Sequence, residues 1–264
     1  MKNHKVSIIT VSYNGVLTIE RTILSVINQT YSNTEYIIVD GGSTDGTVEI
    51  IRSFQGEIFD WFSETDQGIY DAMNKGVIRA TGDYILFLGS DDVFCNDMVI
   101  SDAIADIISV GCPDLWCGRM RLIDYQSRLF KNVGRALSKR DILAGVMANH
   151  PAMLVKRYLL IEHPFDLNFK IAADQEFFVW CCNTGKKIAF SDICLVDFNT
   201  SGVSSFSKKA LNESRMIVRK YAPRFLKAFD RRTRKNYFMS YLIPILTKLR
   251  LLRVFRENTG WKKM

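Results

Sequence analysis

The chain has 264 residues, 47% hydrophobic and 24% charged, with a formal net charge of +7. That is ordinary globular composition; it excludes a disordered, collagen-like or polytopic membrane chain and leaves room for one large α/β domain or two small ones. The charge is uneven: residues 208–264 hold 17 Lys and Arg against 3 Asp and Glu, so a mildly acidic body of 207 residues carries a strongly basic C-terminal stretch.

Val6–Val11 is a β-branched run ending in Ser12-Tyr13-Asn14-Gly15, a strand followed by a turn. Leu17–Gln29 places Leu17, Ile19, Ile23, Leu24, Val26 and Ile27 at the spacing of a helix lying on a sheet. Tyr36–Val39 reads as a second strand, closed by Asp40-Gly41-Gly42-Ser43-Thr44-Asp45-Gly46, and Thr47–Phe54 as the next helix. Two strand–helix units this close imply a right-handed parallel sheet. Trp61–Ser63 is a third short strand. Gly68–Ala80 turns into a helix with Ile69, Ala72, Met73 and Val77 on one face. Tyr84–Leu88 has the unbroken apolar character of a central strand buried on both faces. Asp97–Ser109 reads as a helix and Asp114–Leu122 as a strand. Helices and short strands continue to a last core strand near Ile193–Phe198. Lys208–Tyr221 and Arg224–Lys235 read as basic helices, and the apolar stretch Phe238–Leu246 is too short to span a bilayer.

Six cysteines (Cys95, Cys112, Cys117, Cys181, Cys182, Cys194) include no Cys-x-x-Cys pair, and Met1–Lys5 lead directly into the first strand without a cleavage site. The expectation is reduced thiols in a cytoplasmic protein, with neither a disulfide framework nor a cysteine zinc site.

In an open α/β sheet, ligands bind beyond the carboxyl ends of the strands. Thr10–Asn14, Asp40–Asp45 and Ser90–Asp92 all deliver polar residues there. The adjacent carboxylates of Asp91 and Asp92 repel each other at the end of a hydrophobic strand, an arrangement a bound cation relieves. Oxygen-only ligands favour Mg2+ or Mn2+; the alternative is a solvated pair capping the next helix. There is no P-loop and no Gly-x-Gly-x-x-Gly, so phosphate charge falls to a cation, to Lys and Arg, or to both.

Three blocks carry a resemblance: V-S-I-I-T-V-S-Y-N, I-I-V-D-G-G-S-T-D-G-T and A-T-G-D-Y-I-L-F-L-G-S-D-D, within residues 6–92. Together they resemble a family 2 glycosyltransferase of the GT-A fold, an inverting enzyme that uses nucleotide-diphospho-sugars. The segment Glu64–Gly76 resembles a bacterial branch that builds surface polysaccharides. The resemblance implies a GT-A catalytic domain over residues 1–206; the change of composition from Ser207 onward marks a basic amphipathic helical extension over 207–264. It implies that Thr10, Ser12 and Tyr13 line the base pocket with Asp66, that Asp40 bonds the base or ribose, that Asp91 reaches the ribose or sugar, and that Asp92 ligates the metal. Many relatives carry Ala-Arg-Asn where this chain has Ala72-Met73-Asn74, and Lys75 or Arg79 would replace that lost charge.

A transferase also needs a base to take the acceptor's proton. The resemblance assigns this to Asp174 in I-A-A-D-Q-E, with Glu176 pointing elsewhere, and brings His150 toward the acceptor or diphosphate. Thr200–Ser205 is small and polar, suited to a lid or to a plain linker. No nucleic-acid recognition motif is present. The basic helices suit an anionic membrane surface, and the family analogy adds a polyprenyl-linked glycan acceptor at the inner face of the cell membrane. The rival readings are a sugar-phosphate nucleotidyltransferase and a non-catalytic module that binds sugar nucleotides or polysaccharide.

Overall fold

A computed structural model of the chain describes residues 3–126, 128–200, 208–234 and 256–264. Its first part alternates strands and helices: β1 (Val6–Ser12), α1 (Ile19–Ile27), β2 (Thr34–Asp40), α2 (Thr47–Ser53), β3 (Asp60–Ser63), α3 (Ile69–Arg79) and β4 (Tyr84–Gly89). These strands are parallel in the order β3-β2-β1-β4. The chain steps outward from β1 to β3, then returns to the opposite side of β1. That reversal opens a crevice at the carboxyl ends of β1 and β4, where open α/β sheets bind their ligands.

Both faces of this sheet are covered, which is why its strands are apolar without alternation. Ile9, Val39, Ile85 and Phe87 pack with Tyr70, Met73 and Val77 of α3 in one core. Ile8, Ile38, Leu86 and Leu88 pack with Ile19, Ile23 and Val26 of α1 in the other. Helix α3 lies so close to β1 that a Cβ on Gly76 would stand 2.6 Å from Ile9 Cγ2. Two expected contacts differ. Leu17 precedes α1 and is 94% exposed, and Ile69, at the first position of α3, is 50% exposed while Tyr70 is buried in its place.

The chain continues through β5 (Val93–Phe94), α4 (Val99–Ser109), β6 (Leu115–Asp124), β7 (Leu129–Val133), α5 (Lys139–Leu143), β8 (Met153–Lys156), α6 (Arg157–Glu162), α7 (Ala173–Asn183), β9 (Ile188–Asn199), α8 (Lys208–Tyr221) and β10 (Lys262–Lys263). Strand β8 joins β4 antiparallel, so β4 has a parallel neighbour on one side only. Strand β6 runs antiparallel to β8 and β7 and parallel to β9. Among the described residues the result is a mixed ten-stranded sheet whose parallel strands carry the crevice. All six cysteines are free thiols, and Cys117, Cys181 and Cys182 are buried.

The basic composition of α8 does not set it apart from the body. Leu211, Ile217 and Val218 are buried, and Ile217 shares a core with Phe177 and Phe178 of α7. Residues 226–234 are also helical and bury Phe229 and Thr233. In these residues the chain after 207 packs on the body that precedes it. Residues 201–205 of the expected lid or linker, and the apolar and basic stretch 237–255, lie outside the described residues. Among the described residues no helix is long and apolar enough to cross a membrane.

Candidate active site

Strand β1 ends at Ser12, paired with Asp40 at the end of β2. The loops that follow are bonded to each other. Asn14 N–H donates to Ser43 Oγ (2.7 Å), Thr44 N–H to Asn14 Oδ1 (3.0 Å), Gly15 N–H to Thr47 Oγ1 (2.9 Å) and Val16 N–H to Asp45 Oδ2 (3.1 Å). Asp40 is fully buried. Its Oδ2 accepts from Gly42 N–H (3.1 Å), Ser43 N–H (2.8 Å) and Ser63 Oγ (2.6 Å), and its Oδ1 from Ser43 Oγ (2.5 Å). A buried carboxylate must collect donors, and here its own loop supplies them. Asp40 therefore shapes the turn at the end of β2.

Thr10 is likewise sealed in the core, its hydroxyl accepting from Tyr36 Oη (3.1 Å), so it supports the crevice from beneath and does not line an open pocket. Ser12 is buried, and its Oγ has no hydrogen-bond partner among the described residues. Tyr13 is 66% exposed at the rim. A Cβ at residue 41 would stand 2.5 Å from Asp66 Oδ2 and 3.4 Å from Tyr13 Cδ2, so glycine there lets Asp66 and Tyr13 close into one wall. Lys75 is spent elsewhere. It pairs with Glu64 (2.9 Å) and Asp71 (3.2 Å), and the Glu64 bond first, then Asp71, raises its pKa against the effect of burial. Arg79 pairs with Asp60 (3.0 Å). Met73 is buried in the helix core.

At the end of β4 the acidic doublet folds back over Gly89, where a Cβ would meet Asp92 Oδ2 at 2.9 Å and Asp91 Oδ1 at 3.3 Å. Asp92 is 2% exposed, with Oδ1 accepting from Asn199 N–H (3.0 Å) at the end of β9. Burial, and then the charge of Asp91, push its pKa up to about 7. Burial also raises Asp91. No ion pair reaches either carboxylate among the described residues. Arg21 of α1, which the sequence reading missed, comes near but donates to the Asp91 carbonyl (3.2 Å). Two crowded, desolvated carboxylates with only oxygen donors fit a divalent cation. No third His, Cys, Asp or Glu completes a cluster among the described residues, which leaves other ligands to water and phosphate.

Asp174 stands in the first turn of α7. Its Oδ1 accepts from Tyr70 Oη (2.8 Å) and Gln175 N–H (2.9 Å). Tyr70 packs on Phe165, and Phe165 on Phe87 of β4, two residues before Gly89. The ring of His150 stacks on Phe87 at 5.4 Å, and burial lowers its pKa, which keeps the imidazole neutral at pH 7. The aromatic cluster thus joins Asp174 and His150 to the strand that ends in the doublet. Glu176 points away, as expected, into a buried cluster with His163 (2.9 Å), Lys220 (2.7 Å) and Tyr221. Tyr70 was also missed. Its signal was a phenol on the buried face of a helix, because a buried hydroxyl needs a polar partner.

The sequence profile described as Glycosyl transferase family 2 matches residues 7–159, more than half of the chain. The chain belongs to glycosyl transferase family 2. It is therefore an inverting glycosyltransferase, and its mixed sheet is the GT-A fold. A relative named PGL/p-HBAD biosynthesis glycosyltransferase, from Mycobacterium bovis, is 32% identical over 203 residues, covering 74% of this chain and 77% of its own. Among solved structures, S. aureus TarS 1-349 in complex with UDP-GlcNAc superposes with a TM-score of 0.68 at 20% identity, covering 87% of this chain and 72% of its own. The mannosyltransferase PcManGT from Pyrobaculum calidifontis, in complex with GDP-Man and Mn2+, gives 0.59 at 17% identity, covering 83% and 61%. At these identities the two structures speak for the shared fold.

Proposed function

We propose that this glycosyltransferase moves a sugar from a UDP-sugar to a hydroxyl of a growing, lipid-linked surface glycan, with Mn2+ or Mg2+ as cofactor. The observation that carries the reading is the doublet of Asp91 and Asp92: a half-buried and a buried carboxylate without an ion-pair partner among the described residues, at the strand end where the sheet reverses. The UDP-GlcNAc and Mn2+ held by the two structural neighbours support the donor and the metal.

Tyr13, Asp66 and the free Ser12 hydroxyl offer the base and ribose a wall and an unmet hydrogen bond. Asp92, with Asp91 beside it, would hold the cation, which when bound offsets the negative charge on the departing diphosphate. Asp174 accepts the acceptor's proton while that oxygen attacks the anomeric carbon opposite the leaving group, and this one displacement inverts the centre. Neutral His150 serves acceptor or diphosphate through a hydrogen bond. Lys208, Lys209, Arg219, Arg224, Lys227, Arg231 and Arg234 are exposed on the C-terminal helices, which supports docking on an anionic membrane surface at the inner, cytoplasmic face. The name of the M. bovis relative supports a glycolipid setting.

Two measurements test the reading: UDP binding titrated with and without Mn2+, and transfer by Asp174→Asn. Metal-strengthened UDP binding that survives the substitution, with turnover down by roughly 10²–10⁴, is the expected result. A variant that transfers sugar at the normal rate removes Asp174 from the mechanism. Metal-independent UDP binding removes the doublet.

A further inference from the structure

The carboxylate of Asp174 is held by groups that the transfer chemistry does not consume. Its Oδ1 takes two hydrogen bonds, from Tyr70 Oη and Gln175 N–H, while among the described residues Oδ2 takes none. Tyr70 Oη also lies 2.8 Å from the carbonyl of Ile171, so its single proton is shared between the carboxylate and the turn that precedes α7. Burial first, then the charge of Asp174, raise the phenol's pKa well above 10, so it remains a donor at any working pH.

That turn is itself fixed from α8. Glu213 is buried, and its carboxylate accepts the N–H groups of Lys170 (3.1 Å), Ile171 (2.9 Å) and Ala172 (3.0 Å). An anion here answers the free N–H groups and the positive end of the α7 dipole. The chain of bonds is continuous: Glu213 sets the 170–172 backbone, the Ile171 carbonyl and Asp174 share Tyr70, and Tyr70 orients Oδ1. Oδ2 is left to receive a proton.

We infer that Tyr70 and Glu213 are positioning residues for the catalytic carboxylate, and that α8 is part of the acceptor half of the active site. The inference rests on the reading of Asp174 as the base. Tyr70→Phe deletes one hydroxyl and keeps the ring that packs on Phe165 (centroids 5.3 Å apart). Glu213→Gln keeps the shape and removes the charge.

The experiment compares wild type, Tyr70→Phe, Glu213→Gln, Asp174→Asn and the double variants with Asp174→Asn. Release of UDP, with water as acceptor, is followed from whichever of UDP-glucose, UDP-galactose, UDP-GlcNAc or UDP-GalNAc the wild type hydrolyses, and UDP binding is measured by calorimetry. Tyr70→Phe is expected to lower kcat roughly tenfold or more, since a hydrogen bond to a charged group is lost. Donor KM and UDP affinity stay within about twofold, and the acid limb of the rate profile moves to higher pH. Glu213→Gln is expected to lower kcat in the same way. In the Asp174→Asn background, neither substitution costs anything further, because the group it positions is gone. An equal fold-loss in both backgrounds, or a wild-type kcat and pH profile for Tyr70→Phe, overturns the inference and leaves the base standing. Normal turnover by Asp174→Asn alone overturns the base itself. Should Glu213→Gln fail to bind UDP, Tyr70→Phe decides.

Discussion

In the proposed site a proton and the cation would compete for the same carboxylate at the end of β4, so metal binding should carry a defined pH dependence. With Asp92 titrating at about 7, roughly a tenth of the molecules hold the free carboxylate at pH 6 and about a hundredth at pH 5. Because only the ionised form ligates, Mn2+ affinity should fall about tenfold per pH unit below 7, or about 1.4 kcal/mol per unit, and level off above 8. The same shift acts on stability. A carboxylate whose pKa rises on folding binds protons more tightly in the folded state, so its penalty is absent below about 4 and full above about 7, where three pH units amount to roughly 4 kcal/mol. Mn2+ should therefore raise Tm at pH 8 and barely at pH 5. Electron paramagnetic resonance of free Mn2+, without nucleotide, gives the affinities, and calorimetry gives the melting shifts. An affinity constant between pH 5 and 8 would refute the account, since it requires a carboxylate already ionised at pH 5 or an ion held elsewhere.

Glu35 carries the opposite sign. Burial alone would raise its pKa, but bonds from Lys5, Ser7 and Thr81 outweigh that and bring it down to about 2. Its roughly 3 kcal/mol of stabilisation is full above about 4.5 and lost as the pH falls through about 2, so Glu35→Gln should melt about 6–12 °C lower at pH 7 and converge on wild type in acid melts. Gly41→Ala drives a methyl toward Asp66 Oδ2, which should weaken UDP binding in calorimetry while leaving the melting temperature within a few degrees. A chain ending at residue 206 uncovers Phe177 and Phe178, packed in the core with Ile217, and frees three N–H groups held by Glu213; it should aggregate or expose dye-binding surface, not yield a stable catalytic body.

The parallel half of the sheet was legible because its signals are local. β-branched runs, a turn after each, and a doublet at the last strand end all lie within 92 residues, and each element forms where its own sequence favours it. Ends and faces were less legible. Ile69 fits the helical period but occupies the first turn, where Tyr70 finds the buried partners. Asp40 was readable as an acid at a strand end, yet its role depends on Ser63, 23 residues later, filling an acceptor site. Lys75 looked like a free cation because Glu64 reaches it from the loop after β3, an approach no periodicity encodes; its pairing with Asp71, one helical turn earlier on α3, was legible from the i, i+4 spacing. Reading α8 by charge alone described its outer face and missed Glu213, Ile217 and Val218, which tie it to the body.

The bonds around Asp174 also order events during synthesis. Residues 6–92 contain every strand of the parallel half and can assemble as soon as they leave the ribosome, by short right-handed crossovers. Tyr70 must then wait for a partner 104 residues downstream, and the turn that presents that partner is not braced until residue 213 emerges. A nascent chain would thus own its donor crevice long before the carboxylate proposed as its proton acceptor, and α8 would complete a pocket shaped more than a hundred residues earlier.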